Sequence, residues 1–234
     1  MKTVSSPIVV ALDYPDFDSA IAMANALDPK QCRVKVGKEL YTRCGPPILD
    51  ALHKLGFDVF LDLKFHDIPN TTSKAVCVAA DLGVWMVNVH ASGGQVMMET
   101  CAEALSHYRQ KPLLIGVTVL TSMSQTDLSG IGIDVSPIEH VERLARLTQN
   151  SGLDGVVCSS QEVVALNSAL NDDFMFVTPG IRPAFASTDD QQRIMTPSEA
   201  VVAGSDYLVI GRPITQAEKP LEALELILGE LSEV

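Results

Sequence analysis

Hydrophobic and polar positions along the chain form two kinds of segment that alternate. Short, nearly continuous apolar runs are each followed by a longer segment in which apolar residues recur every three or four positions. Runs of the first kind are typical of strands buried on both faces of a parallel sheet, and segments of the second kind are typical of amphipathic helices. The pattern predicts strands within residues 8–12, 33–37, 57–65, 84–90, 113–120, 155–159, 175–180 and 207–211.

A helix-like segment follows each of the eight runs, after a polar loop where the run ends at residue 120. Eight β/α repeats in 234 residues, close to the ~250 residues typical of (β/α)8 barrels, predict an α/β fold of that type. We expect residues 1–234 to form a single (β/α)8 TIM barrel domain with its active site at the carboxyl ends of the strands. An open, doubly wound parallel sheet is the alternative, although no G-x-G-x-x-G follows the first strand and no P-loop motif occurs. The predicted helices lie at about 17–27, 47–55, 70–82, 94–108, from 137 onward, 160–170, 196–204 and 219–231.

Three charged residues lie at the end of the third apolar run, where a buried strand would carry Val or Ile. Asp62 and Lys64 lie in this strand and Asp67 follows it. Because side chains alternate across a strand, Asp62 and Lys64 share one face while Leu61 and Leu63 take the other. In a barrel, we expect the leucines to pack under the helices and the charged pair to face the interior.

Two neighbouring strands bring further charges to the same rim. Lys35 falls at the inner carboxyl end of the second strand, and Asp13 lies just beyond the first strand in register with its inward positions. Alternation also points Arg33 inward, toward the opposite end of the barrel. Buried charges cost several kcal/mol unless they pair or take part in chemistry. A purely structural ion-pair network is the alternative, but the position at carboxyl strand ends favours an active site.

Glycine and arginine residues follow the last two predicted strands. The segments "TPGIRP" and "IGRP" place Gly180, Arg182, Gly211 and Arg212 where barrels of this kind often bind a phosphate through backbone N–H groups and a cation. The connection from residue 182 to residue 197 is long and rich in small polar residues. Loops of that length in a compact domain are often lids over a site.

Composition narrows the classes of function. A formal net charge of -12 opposes broad binding to nucleic acid, and we expect none. The apolar segments are too short for a signal peptide or a membrane span, so we expect a cytoplasmic protein that does not enter the membrane. Five scattered cysteines without a C-x-x-C pair predict reduced thiols and no zinc site. His90, at the end of the fourth strand, is expected to support the charged cluster through hydrogen bonds.

The charged motif and its partners resemble the orotidine 5'-phosphate decarboxylase family. The stretch "DLKFHDIPNT" is highly specific, and it is accompanied in order by "VKVGKELY", "VTVLTS", "TPGIRP" and "IGRPI" over essentially the whole chain. The long loop after the seventh strand is most similar to the bacterial form. The resemblance implies decarboxylation of orotidine 5'-monophosphate to UMP, the last step of de novo UMP synthesis, without an organic cofactor or a metal.

The resemblance also implies roles for individual residues. Lys35, Asp62, Lys64 and Asp67 would form the catalytic Lys-Asp-Lys-Asp array, with Lys64 as the proton donor. The enzyme would be a homodimer in which Asp67, Ile68 and Thr71 enter the site of the neighbouring subunit. The remaining residues implied to bind substrate are Asp13 and Lys35 at the ribose, Thr121 at the pyrimidine, and Arg182, Gln191, Gly211 and Arg212 at the phosphate.

Two other functions remain open at this point. Related barrels, of the hexulose-phosphate synthase or ketogulonate-phosphate decarboxylase type, share Asp-x-Lys but use Mg2+ and lack the Ile-Pro-x-Thr continuation. A barrel without catalytic activity that only binds a nucleotide is the second alternative. Such a protein would be free to lose Lys64 or Asp67, and this chain has both.

Overall fold

The computed structural model describes residues 4–186 and 195–233, and within them the predicted barrel is confirmed. Eight parallel strands pair in chain order, and β8 pairs with β1 to close the barrel, so the open-sheet alternative is wrong. Each strand is short and almost entirely buried, as expected for a sheet covered on both faces. The strands are β1 Ile8–Ala11, β2 Arg33–Gly37, β3 Val59–Phe65, β4 Met86–His90, β5 Leu113–Val117, β6 Gly155–Val157, β7 Met175–Pro179 and β8 Tyr207–Ile210.

Helices surround the barrel, and eleven of them fall within the described parts of the chain. None of these helices has the length and apolar character that crossing a membrane requires. They are α1 Phe17–Asn25, α2 Lys38–Cys44, α3 Pro47–Lys54, α4 Pro69–Asp81, α5 Gln95–Ser106, α6 Gln125–Gly130, α7 Pro137–Asn150, α8 Ser160–Asn167, α9 Pro197–Val202, α10 Arg212–Thr215 and α11 Pro220–Leu231, with a 3-10 turn at Ala91–Gly93.

Three short helices, α2, α6 and α10, were not predicted by the periodic pattern. Each has seven residues or fewer, which is about two turns and too short to show a repeating apolar stripe. Helix α6 depends on local capping, since the Ser124 side chain accepts from Asp127 N and the Asp127 carboxylate accepts from Ser124 N. Helices α2 and α10 begin directly after β2 and β8, at the rim where the site lies.

Alternation along the strands divides the apolar residues into two cores. One core lies between the sheet and the helices and contains Leu61 together with Val34 and Val36. The other fills the inside of the barrel and contains Val9, Ala11, Phe60, Met86, Ile115, Val177 and Val209. The prediction that Leu61 and Leu63 pack under the helices is confirmed, because both belong to the outer core or pack against it.

Arg33 closes the amino-terminal end of the barrel. Its side chain lies inside the strands, as alternation predicted, with the guanidinium carbon 4.4 Å from the ring centroid of Trp85 and 5.3 Å from that of Tyr207. The guanidinium donates to the carbonyl oxygens of Ser6 (2.7 Å) and Val4 (2.6 Å). Stacking on aromatic rings and bonding to carbonyls compensate for the burial of this charge.

We expect Arg33→Ala to lower the free energy of unfolding by about 3 kcal/mol. The variant removes two charge-assisted hydrogen bonds, one buried and one partly buried, together with two ring contacts and an ion pair with Asp58 at 3.8 Å. Urea denaturation followed by circular dichroism measures this change. Arg143→Ala is the matched control, since Arg143 pairs with Glu139 on an exposed helix face, and this variant should cost about 0.5 kcal/mol. Equal losses for the two variants would contradict a structural role for Arg33 beyond that of a surface arginine.

Candidate active site

A cleft of about 330 Å³ opens at the carboxyl ends of the strands. Apolar side chains of the inner core form its floor, including Ala11, Phe60 and Val209. Strand ends and the loops that follow them supply the polar walls, which is how a barrel gathers residues that are distant in sequence. The structure brings nine of the predicted residues into this one cleft: Asp13, Lys35, Asp62, Lys64, Thr121, Gly180, Arg182, Gly211 and Arg212.

Asp62 lies at the centre of the charges in the cleft. Its Oδ1 is 2.5 Å from Lys64 Nζ, and its Oδ2 is 3.3 Å from Lys35 Nζ. Lys35 Nζ is also 3.2 Å from Asp13 Oδ1. The chain of contacts therefore runs from Asp13 through Lys35 and Asp62 to Lys64, with alternating charge. The two inner members, Lys35 and Asp62, are buried, while Lys64 and Asp13 are progressively more exposed to the cleft.

Gly37 leaves the space that the Lys35 ammonium occupies. In the β2–β3 ladder Gly37 is the partner of Asp62, and Lys35 is the partner of Phe60, one layer lower. A Cβ atom at position 37 would lie 3.3 Å from Lys35 Nζ and 3.5 Å from Asp13 Oδ1. The absence of a side chain there leaves room for the ammonium to rise from the lower layer and reach both carboxylates.

Strand β3 is irregular where it carries Lys64. Its pairing with β4 is regular up to Leu61–Val87, but the next pair is Phe65–Val89, so β3 gains two residues on its neighbour. Lys64 has a φ of +51°, and among the described residues it is the one non-glycine with positive φ. Such a conformation costs about 1 kcal/mol or more for a lysine and is retained only where surrounding contacts hold it.

Asn88 is a site residue that the sequence analysis missed. It is fully buried on β4, where its Nδ2 donates to Asp62 Oδ1 (2.7 Å) and its Oδ1 accepts from Lys64 N (2.8 Å). A signal was present in the sequence, because Asn88 is an amide at an inward position of an otherwise apolar strand run. His90 was expected to support the array by hydrogen bonding; among the bonds found in the described residues, Asn88 does so and His90 does not.

His90 nevertheless lies close to the charges. Burial is the main reason that the pKa of His90 falls to about 4, and nearby His66, Lys38 and Lys64 lower it further. The imidazole is therefore neutral near pH 7. Its ring centroid is 5.4 Å from that of His66.

Across residues 4–186 and 195–233, His, Cys, Asp and Glu side chains do not form a group of three that could hold a metal ion.

The array determines the charge states of its buried members. Burial alone would lower the pKa of Lys35, but Asp62 and Asp13 outweigh it and raise the value above the ordinary 10.5. Burial would likewise raise the pKa of Asp62, but Lys35 and Lys64 outweigh it and lower the value below 3.8. The charge of Lys35 therefore stabilises the folded protein until pH rises through the raised pKa of Lys35. The charge of Asp62 stabilises it until pH falls through the lowered pKa of Asp62.

The turn after β3 does not line this cleft. Asp67 is exposed, as are Ile68 (66% exposed) and Thr71. The Asp67 carboxylate accepts from Ile68 N (2.6 Å), and the Thr72 hydroxyl bridges the backbone N–H and carbonyl of Asp67. Among the described ion pairs, none joins Asp67 to Lys64 of the same chain. The structure thus separates Asp67, Ile68 and Thr71 from the other predicted site residues.

Three of the predicted phosphate-binding residues, Arg182, Gly211 and Arg212, line the same cleft. Arg182 is buried, and its backbone N–H donates to Met195 O (2.9 Å), while Ile181 and Met195 form a parallel bridge. These contacts join the two ends of the long connection after β7 at its base. Arg212 begins α10 directly after Gly211. Gln191, the remaining predicted residue, lies outside the described residues.

Comparisons with known proteins agree with one another. The model of the family described as "Orotidine 5'-phosphate decarboxylase / HUMPS family" matches residues 6–227. A protein of Marinomonas sp. named orotidine 5'-phosphate decarboxylase is 66% identical over 94% of each chain. A protein of the same name from Enterobacter sp. is 61% identical over 98% of this chain and 94% of its own. The crystal structure of orotidine 5'-phosphate decarboxylase from Lactobacillus acidophilus has 38% identity and a TM-score of 0.86, covering 96% of this chain and 98% of that one.

We expect Asp62→Asn to lower the pKa of Lys35, because the variant removes the stronger of the two charges that oppose the effect of burial. A 13C NMR titration of the lysine Cε resonances measures the pKa. Glu142→Gln is the matched control, since Glu142 pairs with Arg146 on an exposed helix face. A Lys35 titration that is the same in Asp62→Asn as in the control would show that Asp62 does not set its charge state.

Proposed function

The chain belongs to the orotidine 5'-phosphate decarboxylase / HUMPS family, and we propose on that premise that it converts orotidine 5'-monophosphate to UMP and CO2. This reaction is the last step of de novo pyrimidine nucleotide synthesis. One observation carries the proposal: Lys64 and Lys35 flank Asp62 in a single cleft that is also lined by Arg182 and Arg212. The curated relatives described above are named for this decarboxylation, so the Mg2+-dependent sugar-phosphate barrels and a barrel without activity are not favoured.

Lys64 is the residue we assign to the chemical step. The bond between C6 of the pyrimidine and the carboxylate carbon breaks, CO2 leaves, and the electron pair stays on C6 in an orbital that the ring does not delocalise. The Lys64 ammonium lies beside that pair and then donates its proton to C6. A cation about 4 Å from a developing negative charge contributes roughly 4 kcal/mol at an effective dielectric constant near 20, provided that it is fixed in advance.

Asp62 and Lys35 hold Lys64 in position. The carboxylate of Asp62 orients the Lys64 ammonium at 2.5 Å, and Lys35 in turn holds that carboxylate from the opposite side. An array fixed before substrate arrives needs no reorganisation during the reaction. Asp67 of a second subunit is the fourth charge of the proposed array.

The other residues of the cleft bind the parts of the nucleotide that do not react. We assign Asp13 and Lys35 to the ribose hydroxyls and Thr121 to the pyrimidine. Binding energy gained far from C6 serves to close the site and position the reacting bond, which raises the rate of the chemical step. The proposed phosphate ligands are Arg182, Gln191, Gly211 and Arg212.

A homodimer with shared sites is part of the proposal. Asp67, Ile68 and Thr71 lie on an exposed turn before and at the start of α4. An apolar side chain that is two-thirds exposed, next to a carboxylate that is exposed and does not line its own cleft, is consistent with a surface covered by a second copy. In the dimer, these three residues would complete the neighbouring subunit's site.

We propose further that residues 1–234 act as one catalytic domain, without an organic cofactor or a metal. A cytoplasmic location fits the five cysteines, which are all free thiols, two of them only partly buried.

The purified protein should convert orotidine 5'-monophosphate to UMP in the presence of excess EDTA. Loss of the ultraviolet absorbance band of the substrate, with UMP quantified by chromatography, measures the reaction. EDTA-treated protein to which Mg2+ is restored is the control, and equal rates with and without the metal are expected. Folded protein that is inactive with EDTA and active with Mg2+ would reassign the chain to metal-dependent chemistry.

Lys64→Ala should abolish turnover, a loss of at least about 10³-fold, because it removes both the fixed cation and the proton donor. UMP binding, measured by isothermal titration calorimetry, should stay within about threefold, since the phosphate and ribose contacts remain. Lys54→Ala, which removes an exposed lysine from the last turn of α3 outside the cleft, is the control. Substantial turnover by Lys64→Ala would exclude the proposed role.

Mixing Lys64→Ala protein with Asp67→Ala protein should regenerate activity if Asp67 acts across the dimer interface. At equal amounts, we expect about a quarter of the unsubstituted activity, because half of the dimers are hybrids and each hybrid has one intact site of two. The control mixture is Lys64→Ala with Asp62→Ala, which act within the same subunit and should give no recovery. No recovery in the first mixture, despite subunit exchange shown by native mass spectrometry, would refute the shared site.

A further inference from the structure

Asn88 occupies a gap that the β3 irregularity opens between two strands. The two residues that β3 gains on β4 lie between Leu61 and Phe65, so the regular ladder is interrupted beside Asp62 and Lys64. Asn88 lies on β4 within this interruption, between Val87 and Val89, and pairs on its other side with Ile115 of β5 in regular register. Its side chain replaces the missing ladder contacts, since its Oδ1 accepts the backbone N–H of Lys64 at 2.8 Å.

The orientation of the Asn88 amide is fixed by its two partners. A backbone N–H group only donates, and an ionised carboxylate only accepts. The oxygen of the amide must therefore face Lys64 N, and the nitrogen must face Asp62 Oδ1, which is the arrangement found. A fully buried amide is costly unless its groups are bonded in this way. One planar group thus links the Asp62 carboxylate to the Lys64 backbone in a single geometry.

We propose that Asn88 is the positioning residue of the charge array. It holds the Asp62 carboxylate in the plane where it meets both ammonium groups, and it maintains the left-handed backbone from which the Lys64 side chain enters the cleft. Asn88 is fully buried and does not line the cleft, so it acts on the substrate only through Asp62 and Lys64. The kinetic consequence of this inference rests on the decarboxylation proposed above.

Asn88→Leu and Asn88→Ala test the proposal, since both remove the two hydrogen bonds and Leu keeps a similar volume. We expect kcat to fall by about 10- to 100-fold, the range for a lost hydrogen bond to a charged group. UMP affinity should stay within about threefold, because the ribose and phosphate contacts are untouched. Thr178→Val is the matched control: Thr178 is a fully buried polar residue on β7, hydrogen-bonded to Tyr207 O and absent from the cleft lining, and its variant should keep kcat within about twofold.

Hydrogen exchange gives a readout that does not depend on activity. In the unsubstituted protein, the Lys64 amide should exchange slowly, and it should lose protection in Asn88→Leu while the amides of β7 and β8 keep theirs. The proposal is overturned if a folded variant keeps kcat within about twofold, or if kcat and UMP affinity fall together as general loosening predicts. If neither variant folds, rapid exchange of Lys64 in the unsubstituted protein overturns it and slow exchange supports it. An inactive unsubstituted protein with a protected Lys64 amide would count against the decarboxylation and not against the positioning.

Discussion

The sharing of one buried carboxylate between two ammonium groups is the constraint on which the site depends. Asp62 is buried at a depth where an unpaired carboxylate would cost several kcal/mol, and the same holds for Lys35 beside it. Each stays charged because the other is present, and the lowered pKa of Asp62 and the raised pKa of Lys35 express that mutual dependence. Lys64, at one end of the chain of contacts, is the more exposed of the two ammonium groups that line the cleft.

A regular strand would not place these groups as the structure does. Strict alternation separates residues two apart on one face by about 6.6 Å along the strand. In this protein β3 gains two residues on β4, and Lys64, which has positive φ, lies within that irregular stretch. The backbone strain is local, and the bond from Lys64 N to Asn88 Oδ1 helps to compensate for it. Irregular backbone next to a charged cluster is typical of functional sites, where geometry takes precedence over ladder pairing.

The sequence was sufficient for features that depend on periodicity. Continuous apolar runs predicted the eight strands, and alternation placed Leu61 in the outer core and Arg33 inside the barrel. The strand ends also predicted which charges meet in one cleft. The register shift in β3 and the role of Asn88 were beyond such reasoning, because both arise from the pairing of two strands and leave no repeat in either one. Three short helices were not predicted for a related reason, since helices of two turns or fewer are too short to establish a period.

Two inward-facing cations on β2 show how their surroundings separate structural from functional charges. Arg33 and Lys35 lie two residues apart on the same face of one strand. At the amino end, Arg33 bonds to two backbone carbonyls and lies against Trp85 and Tyr207. These carbonyls and rings are neutral, and the Asp58 carboxylate lies 3.8 Å from Arg33 Nε, so the guanidinium closes the barrel within a structural network of contacts. At the carboxyl end, the partners of Lys35 are the carboxylates of Asp13 and Asp62. Both carboxylates line the open cleft, and Asp62 also contacts Lys64. Alternation places both cations inside the barrel, and of the two only Lys35 lines the cleft.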